Sequence, residues 1–348
     1  MNTIEQTDVW VGLDVAKASF DAAFVTEGQH YSATRMREVP VKSFARNLEG
    51  VKALLAWLDK SGAGHNARAC MEATGSYSTD IACLLLQERP SLRPAIANPR
   101  HTSAFIKSLG LRNKTDRIEA RALAFYGAER RPVPYEPPTP ERAQLRELSR
   151  YRDTLVSQRV ATQNRADEPQ TSRLVRTLQD KRLRLITQDI KRVETEMKRI
   201  VENSQALRND LALLTTIYGV GFIVAATVLS ELGDLRRFHR ARQLTAFAGV
   251  SPRIIQSGTS VTRKTHMCKQ GNARVRQVLY LAAVTASRGQ SDLQRHYQEL
   301  VQGGKPPRVA LGALMRKILV LMRAILITEK SYEPNHNTCA KLHLQLNS

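Results

Sequence analysis

The 348-residue chain reads as an α/β domain followed by a helical coiled-coil region and a mainly α C-terminal domain. Three observations predict this architecture. Up to residue 130, strand-length apolar runs alternate with helix-length amphipathic stretches. The segment Arg131 to Pro140 then holds five prolines, and beyond it apolar residues recur at alternating spacings of four and three.

Residues 9–25 contain two short apolar runs split by a polar turn, the pattern of an antiparallel strand pair. A third strand is expected near residues 31–39. Phe44, Leu48, Val51, Leu54, Leu55 and Leu58 then recur at helical spacing and supply one buried face. Ala67 to Met71 reads as the next strand, ended by Glu72. A helix over about Tyr77 to Glu88, a strand at Pro94 to Ala97 and a helix over about Thr115 to Glu129 complete a mixed sheet with helices around it. Proline lacks the backbone N–H and clashes with the preceding helical turn, so residues 131–140 form a stiff connector and the first domain is placed at 1–140.

Residues 141–208 are rich in Arg, Glu, Gln and Leu and are broken at Asp167-Glu-Pro169. Ile186, Ile190, Val193, Met197 and Ile200 make a coiled-coil seam. Two partners fit it: the preceding helix, through Leu145, Leu148, Tyr151 and Leu155, or a second copy of the chain. The C-terminal domain, 209–348, opens with an apolar helix end, a Gly219-Val-Gly221 turn and another helix. That turn fits a helix-hairpin-helix, whose glycines let backbone N–H groups approach a DNA phosphate, and equally fits plain helix capping. Residues 247–274 read as a polar, basic loop, with apolar helices expected at about 273–288 and 307–328.

The net charge is +21 and the isoelectric point near 10.3. The bases are spread from about residue 142 to 330, which points to a polyanion held along a phosphate track, because each neutralised phosphate releases condensed counterions. Aromatic residues make up only 5%, which argues against single-strand binding by rows of stacked rings. No apolar run has the length of a membrane span and the first residues lack the order of a signal peptide, so a cytoplasmic protein with no membrane partner is expected. Cys70, Cys83, Cys268 and Cys339 form no Cys-x-x-Cys pair and are expected to be reduced thiols, without zinc or disulfides.

Against this basic background, carboxylates that end apolar segments stand out: Asp14, Glu72, and Asp116 with Glu119. Two carboxylate-bound metals about 4 Å apart can activate the attacking oxygen and steady the leaving oxygen of a phosphodiester, and hard Mg²⁺ selects oxygen ligands for this. Asp116 and Glu119, three apart, share one helix face and could converge with the two strand-end acids. Each alone also has a plainer reading as a turn former, a surface residue or a helix-start acid.

Gly12-Leu-Asp14-Val-Ala-Lys17, Glu72-Ala-Thr-Gly-Ser-Tyr77, Asn98-Pro99 and Gly110-Leu-Arg-Asn-Lys-Thr-Asp116-Arg-Ile-Glu119-Ala-Arg occur in that order. Phe247-Ala-Gly-Val-Ser-Pro-Arg253, Ser257-Gly-Thr-Ser260 and Gly271-Asn-Ala-Arg274 follow. Together they resemble the DEDD transposases of insertion sequences related to the Piv DNA invertase, a family that includes bridge-RNA-guided recombinases. The resemblance implies an RNase H-like, RuvC-type N-terminal domain, a coiled-coil insertion and a C-terminal transposase domain carrying a serine. It implies Mg²⁺ held by Asp14, Glu72, Asp116 and Glu119, and Ser257 as the residue that attacks DNA. Its partners would be donor and target DNA, a guide RNA and further copies of the chain, as a dimer or tetramer in which one subunit's carboxylates meet another's serine. Glu119 departs from the family pattern, where the fourth acid is usually Asp. Ser257 is preferred over Thr259, Ser260 and Thr262 on the resemblance alone. Arg253, Arg263, Lys264 and Lys269 are candidate contacts for the scissile phosphate or the guide RNA. Two rival readings use the same residues differently: a RuvC-type structure-selective nuclease that attacks with water, and a non-catalytic nucleic-acid-binding protein.

Overall fold

The computed structural model describes residues 8–26, 28, 36, 38–64, 66–110, 115–168, 172–257, 261–268 and 270–334. Two compact units, residues 1–137 and 138–348, meet inside the proline-rich segment.

The first unit is built on strands β1 (Val9–Val15), β2 (Ser19–Thr26), β3 (Val41–Ala45), β4 (Ala67–Glu72) and β5 (Ala95–Ala97). Their order is β3-β2-β1-β4-β5, antiparallel from β3 to β1 and parallel from β1 to β5. Central β1 is covered on both faces, which is why it is apolar throughout apart from Asp14 and Gly12. Val9, Val11, Leu13 and Val15 pack with helices α1 (Leu48–Lys60) and α2 (Ser76–Glu88). Trp10 faces the other way, onto α3 (Pro99–Ser108) and α4 (Asp116–Arg130), and by the two-residue period Gly12 and Asp14 share that face.

Gly12 is the contact point. A methyl group there would overlap the carbonyl oxygen of Ala120 and the backbone nitrogen of Ala124, so α4 lies directly on the backbone of β1. Ala120 and Ala124, one turn apart, keep that helix face small enough to do so, and Gly127 makes room for the Trp10 ring.

Two expectations are corrected here. The strand expected near 31–39 falls largely outside the described residues, and among the described residues the third strand is Val41–Ala45. Phe44 belongs to that strand, stacked on Phe20 with ring centroids 5.5 Å apart. The helix begins only at Leu48, because the Asn47 side chain caps it by accepting from Gly50 N at 2.9 Å. Helix α3 was not expected at all, although Asn98-Pro99 is its N-cap and first residue.

The second unit contains α5 (Pro140–Ala166), α6 (Arg173–Asn203), α7 (Gln205–Leu214), α8 (Phe222–Leu232), α9 (Ala241–Ala248), β6 (Pro252–Ser257), β7 (Val261–Met267), α10 (Ala273–Arg288), α11 (Asp292–Gln302) and α12 (Pro307–Thr328). The seam of α6 is filled from within the chain: Ile186, Ile190, Val193, Met197 and Ile200 cluster with Leu145 and Leu155 of α5. Helix α5 is also tied to the helices after residue 208. Buried Asp210 pairs with Arg236 at 2.7 Å and Arg142 at 3.5 Å, Arg150 grips Glu231 at 2.6 and 2.9 Å, and Ser149 meets Thr227 at 3.1 Å. Carboxylates this buried require such partners, so the long helix pair packs as part of this unit.

The stretch 247–274, expected to be a loop, contains the antiparallel hairpin β6–β7. Its β-branched residues Ile254, Ile255, Val261, Thr262 and Thr265 favour a strand, but the bases between them give the segment a loop-like composition. At the Gly219-Val-Gly221 turn, Gly219 has φ +89° and a Cβ there would come within 2.6 Å of Ala282 O, so this glycine serves close packing on α10. None of the helices among the described residues is long and apolar enough to cross a membrane.

Candidate active site

In the first unit the sheet and α4 bring the four predicted carboxylates into one neighbourhood. Asp14 is the penultimate residue of β1 and Glu72 the last of β4; the last register pair of these parallel strands, Leu13 with Met71, leaves the two acids adjacent at the strand ends. Asp116 and Glu119 occupy the first turn of α4, which starts there because the Thr115 side chain accepts from Ile118 N. Gly12, two residues before Asp14, allows that turn to approach.

The electrostatic result is a carboxyl that resists ionisation. Burial pushes the Asp14 carboxyl up to about 7, with further upward contributions from Glu119, Asp116, Asp21 and Glu72 in that order. All four predicted acids therefore interact, and Asp21 joins them. Among the described residues, no three His, Cys, Asp or Glu side chains stand close enough to hold one metal ion. The acids are grouped by charge rather than drawn to ligating distance. An all-oxygen set of neighbouring acids is nevertheless the chemistry that a hard divalent cation fits.

Three side chains that the sequence reading passed over support this group. Asp21 is the direct cross-strand partner of Asp14 and accepts from the Ser43 hydroxyl on β3. The symmetric placement of the two acids about the 16–18 turn was the available signal. Thr102 on α3, fully buried, donates its hydroxyl to Glu72 and so fixes that carboxylate. Its signal was the Asn98-Pro99 helix start. Arg46 donates to Lys17 O at 2.7 Å and to Asp80 at 3.0 Å while its guanidinium lies 4.5 Å from the centroid of Tyr77. It thereby ties the turn after Asp14 to the helix that follows Glu72.

In the second unit Ser257 is the last residue of β6, paired with Val261. Thr262 lies in β7, whereas Thr259, Ser260 and Lys269 lie outside the described residues. Arg253 sits on β6, and Arg263 and Lys264 on β7. The motifs flanking this hairpin hold its base. Gly249, at φ +72°, and Gly271 lie backbone to backbone, so a Cβ on Gly271 would come within 2.5 Å of Gly249 N. Cys268 N donates to Ser251 O at 2.8 Å. Asn272 caps α10 by accepting from Arg274 N and Val275 N, and its amide donates to Glu231 at 2.8 Å. Arg274 pairs with Asp153 at 2.7 Å. Burial pushes the Glu231 carboxyl up, but the hydrogen bonds from Arg150 and Asn272 outweigh it and hold the group below its ordinary value.

Comparison with known proteins adds a second line. Residues 11–168 match the DEDD transposase family of IS110-type elements, and residues 211–298 match the transposase IS116/IS110/IS902 family. The chain is 27% identical over 326 residues to the pilin gene-inverting protein of Moraxella bovis, spanning 93% of this chain and 97% of that one. It is 28% identical over 215 residues to the transposase for insertion sequence element IS1111A of Coxiella burnetii, spanning 53% and 57% respectively. The transposase for insertion sequence element IS1328 of Yersinia enterocolitica is 27% identical over 218 residues, 54% of this chain and 62% of that one.

Proposed function

We propose that this chain, which carries both transposase domains of the IS110 family and is therefore a DNA recombinase or transposase, cuts and rejoins DNA strands with a Mg²⁺-binding carboxylate group and a serine nucleophile. The observation that carries this reading is the convergence of Glu72, Asp116 and Glu119 on a half-buried Asp14. The β3-β2-β1-β4-β5 order, with acids at the ends of two neighbouring strands and on the helix packed across them, supports an RNase H-like, RuvC-type first domain.

Proteins with the DEDD transposase domain typically use a divalent metal. Here Asp14, Glu72, Asp116 and Glu119 would hold Mg²⁺, which when bound offsets charge on the phosphoryl oxygens and eases formation of an alkoxide. The Ser257 hydroxyl loses its proton as its Oγ forms a bond to the scissile phosphorus, and the bond to the departing strand's oxygen breaks, that oxygen taking up a proton. The phosphoserine link conserves the phosphodiester, so a strand-end hydroxyl can reverse the step on a new partner. Thr102 and Asp21 orient the carboxylates, and Arg253, Arg263 and Lys264 contribute charge for the DNA backbone. The excess of bases also supports a guide RNA held by the second domain, and assembly as a dimer or tetramer completes the proposed site.

A DNA duplex with a nick beside the scissile phosphate tests the reaction. Wild-type protein with Mg²⁺ is expected to leave an adduct that survives denaturation, and Ser257→Ala none. Free cleaved ends without an adduct from both proteins would transfer the case to a nuclease using water. Glu119→Asp is expected to retain adduct formation and Glu119→Ala to lose it, since a carboxylate of either length supplies the oxygen. Equal yields from the alanine variant would remove Glu119 from the metal group.

A further inference from the structure

The stretch from Leu235 to Ser291 contains eleven Lys and Arg and no Asp or Glu. In its midst Phe247, near the end of α9, is 51% exposed while its neighbours Leu244 and Ala248 are buried. Its ring lies beside that of Phe238, centroids 5.5 Å apart and planes tilted by 52°. The Arg237 guanidinium lies 5.0 Å from the Phe238 centroid and 5.7 Å from that of Phe247. None of the three is loosely attached. Arg237 donates to Leu232 O at 3.0 Å. Buried Arg323 on α12 donates to Phe238 O at 2.8 Å and His239 O at 2.9 Å, which pins the backbone under the rings.

A rigid pair of rings with a guanidinium against them, with exposed His239, Arg240 and Arg242 close by in the chain, presents an apolar π face in a basic setting. We infer that Phe247, backed by Phe238 and Arg237, is a stacking platform for an unpaired base of single-stranded DNA. A base within a duplex does not offer its face, so the platform selects unpaired DNA. A single exposed ring is too small an apolar area for a stable protein interface, and a negatively charged strand matches the surrounding bases. The low aromatic content excludes rows of such rings but not one platform. Phe247 stands five residues before the β6–β7 hairpin that carries Ser257, so the platform serves a DNA strand separated near the exchange point. The inference rests on the recombinase reading but not on which hydroxyl attacks.

Binding without cleavage tests it. Full-length protein is titrated into a short single-stranded DNA carrying 2-aminopurine and into a fully paired duplex of equal length. The wild type is expected to quench the fluorophore, and Phe247→Tyr to keep that quench. Phe247→Ala and Phe247→Leu should lose it together with about tenfold of single-strand affinity, the lower range for one base stacked on one ring. Duplex affinity and the salt slope should stay unchanged, because the ring neutralises no phosphate. Wild-type behaviour of Phe247→Leu would overturn stacking, and equal loss on duplex would overturn strand selectivity. A Phe247-dependent preference for RNA of the same sequence would overturn the assignment to DNA, and a changed particle mass in the alanine variant would make the ring a subunit contact.

Discussion

Asp14→Asn is expected to reduce strand cleavage by about a thousandfold or more while making the metal-free protein more stable at neutral pH. Both effects have one cause. Burial and the facing charges of Glu119, Asp116, Asp21 and Glu72 push the Asp14 carboxyl up to about 7 from its ordinary 3.8. Between those two values the folded protein binds a proton that the unfolded chain does not, so stability falls as pH rises from about 4 to 7 and stays at the lower level above. Asparagine keeps the shape and removes the charge. Discounted for the carboxyl's partial exposure, the gain at pH 8 is on the order of 1 kcal/mol and vanishes near pH 4. Thermal melts in a chelator at pH 4.5, 6.5 and 8 measure it. Added Mg²⁺ should then raise the melting temperature of the wild type at pH 8 and not that of the variant. Superimposable melts of the two proteins at pH 8, or cleavage by the variant near the wild-type rate, would exclude the carboxylate group as the metal site.

Gly12→Ala is expected to cost about 3 kcal/mol and to remove cleavage, although the residue has no functional group. A Cβ at this position meets backbone of α4 at Ala120 and Ala124, not the end of a flexible side chain, so relief requires the whole helix to move. That movement carries Asp116 and Glu119 away from Asp14. The expected signature in urea is a lower midpoint at an unchanged slope, together with loss of the Mg²⁺-dependent rise in melting temperature. A folded, active variant within 0.5 kcal/mol of the wild type would mean that α4 does not position the acids.

Much of the first unit was legible because local pattern and tertiary burial agree there. The 9–25 strand pair, the strand ending in Glu72 and the helix opening at Asp116 all follow from period and capping. Phe44 misled because its spacing to Leu48 and Val51 suits a helix, while Asn47 between them starts the helix only afterwards. The β6–β7 hairpin was hidden by composition, since a strand rich in Arg, Lys and Thr carries no apolar alternation. Helix α3 was missed because a ten-residue helix that opens Pro-Arg-His-Thr-Ser and buries only Thr102 and Phe105 has few apolar positions to mark it, even though its cap was in plain view.

The amino-acid sequence determined by itself which residue types are present, their order, and the helix starts and strand ends that carry Asp14, Glu72, Asp116 and Glu119, because these depend on neighbours only a few residues away. Only the tertiary structure decided that Asp21 joins them, that Thr102 holds Glu72, that Gly12 sets the approach of α4, and that Asn272 and Arg274 brace the base of the Ser257 hairpin. Each of these depends on strand register or on backbone-to-backbone approach between distant segments, and a charge or a void at such a contact has no signature in local periodicity.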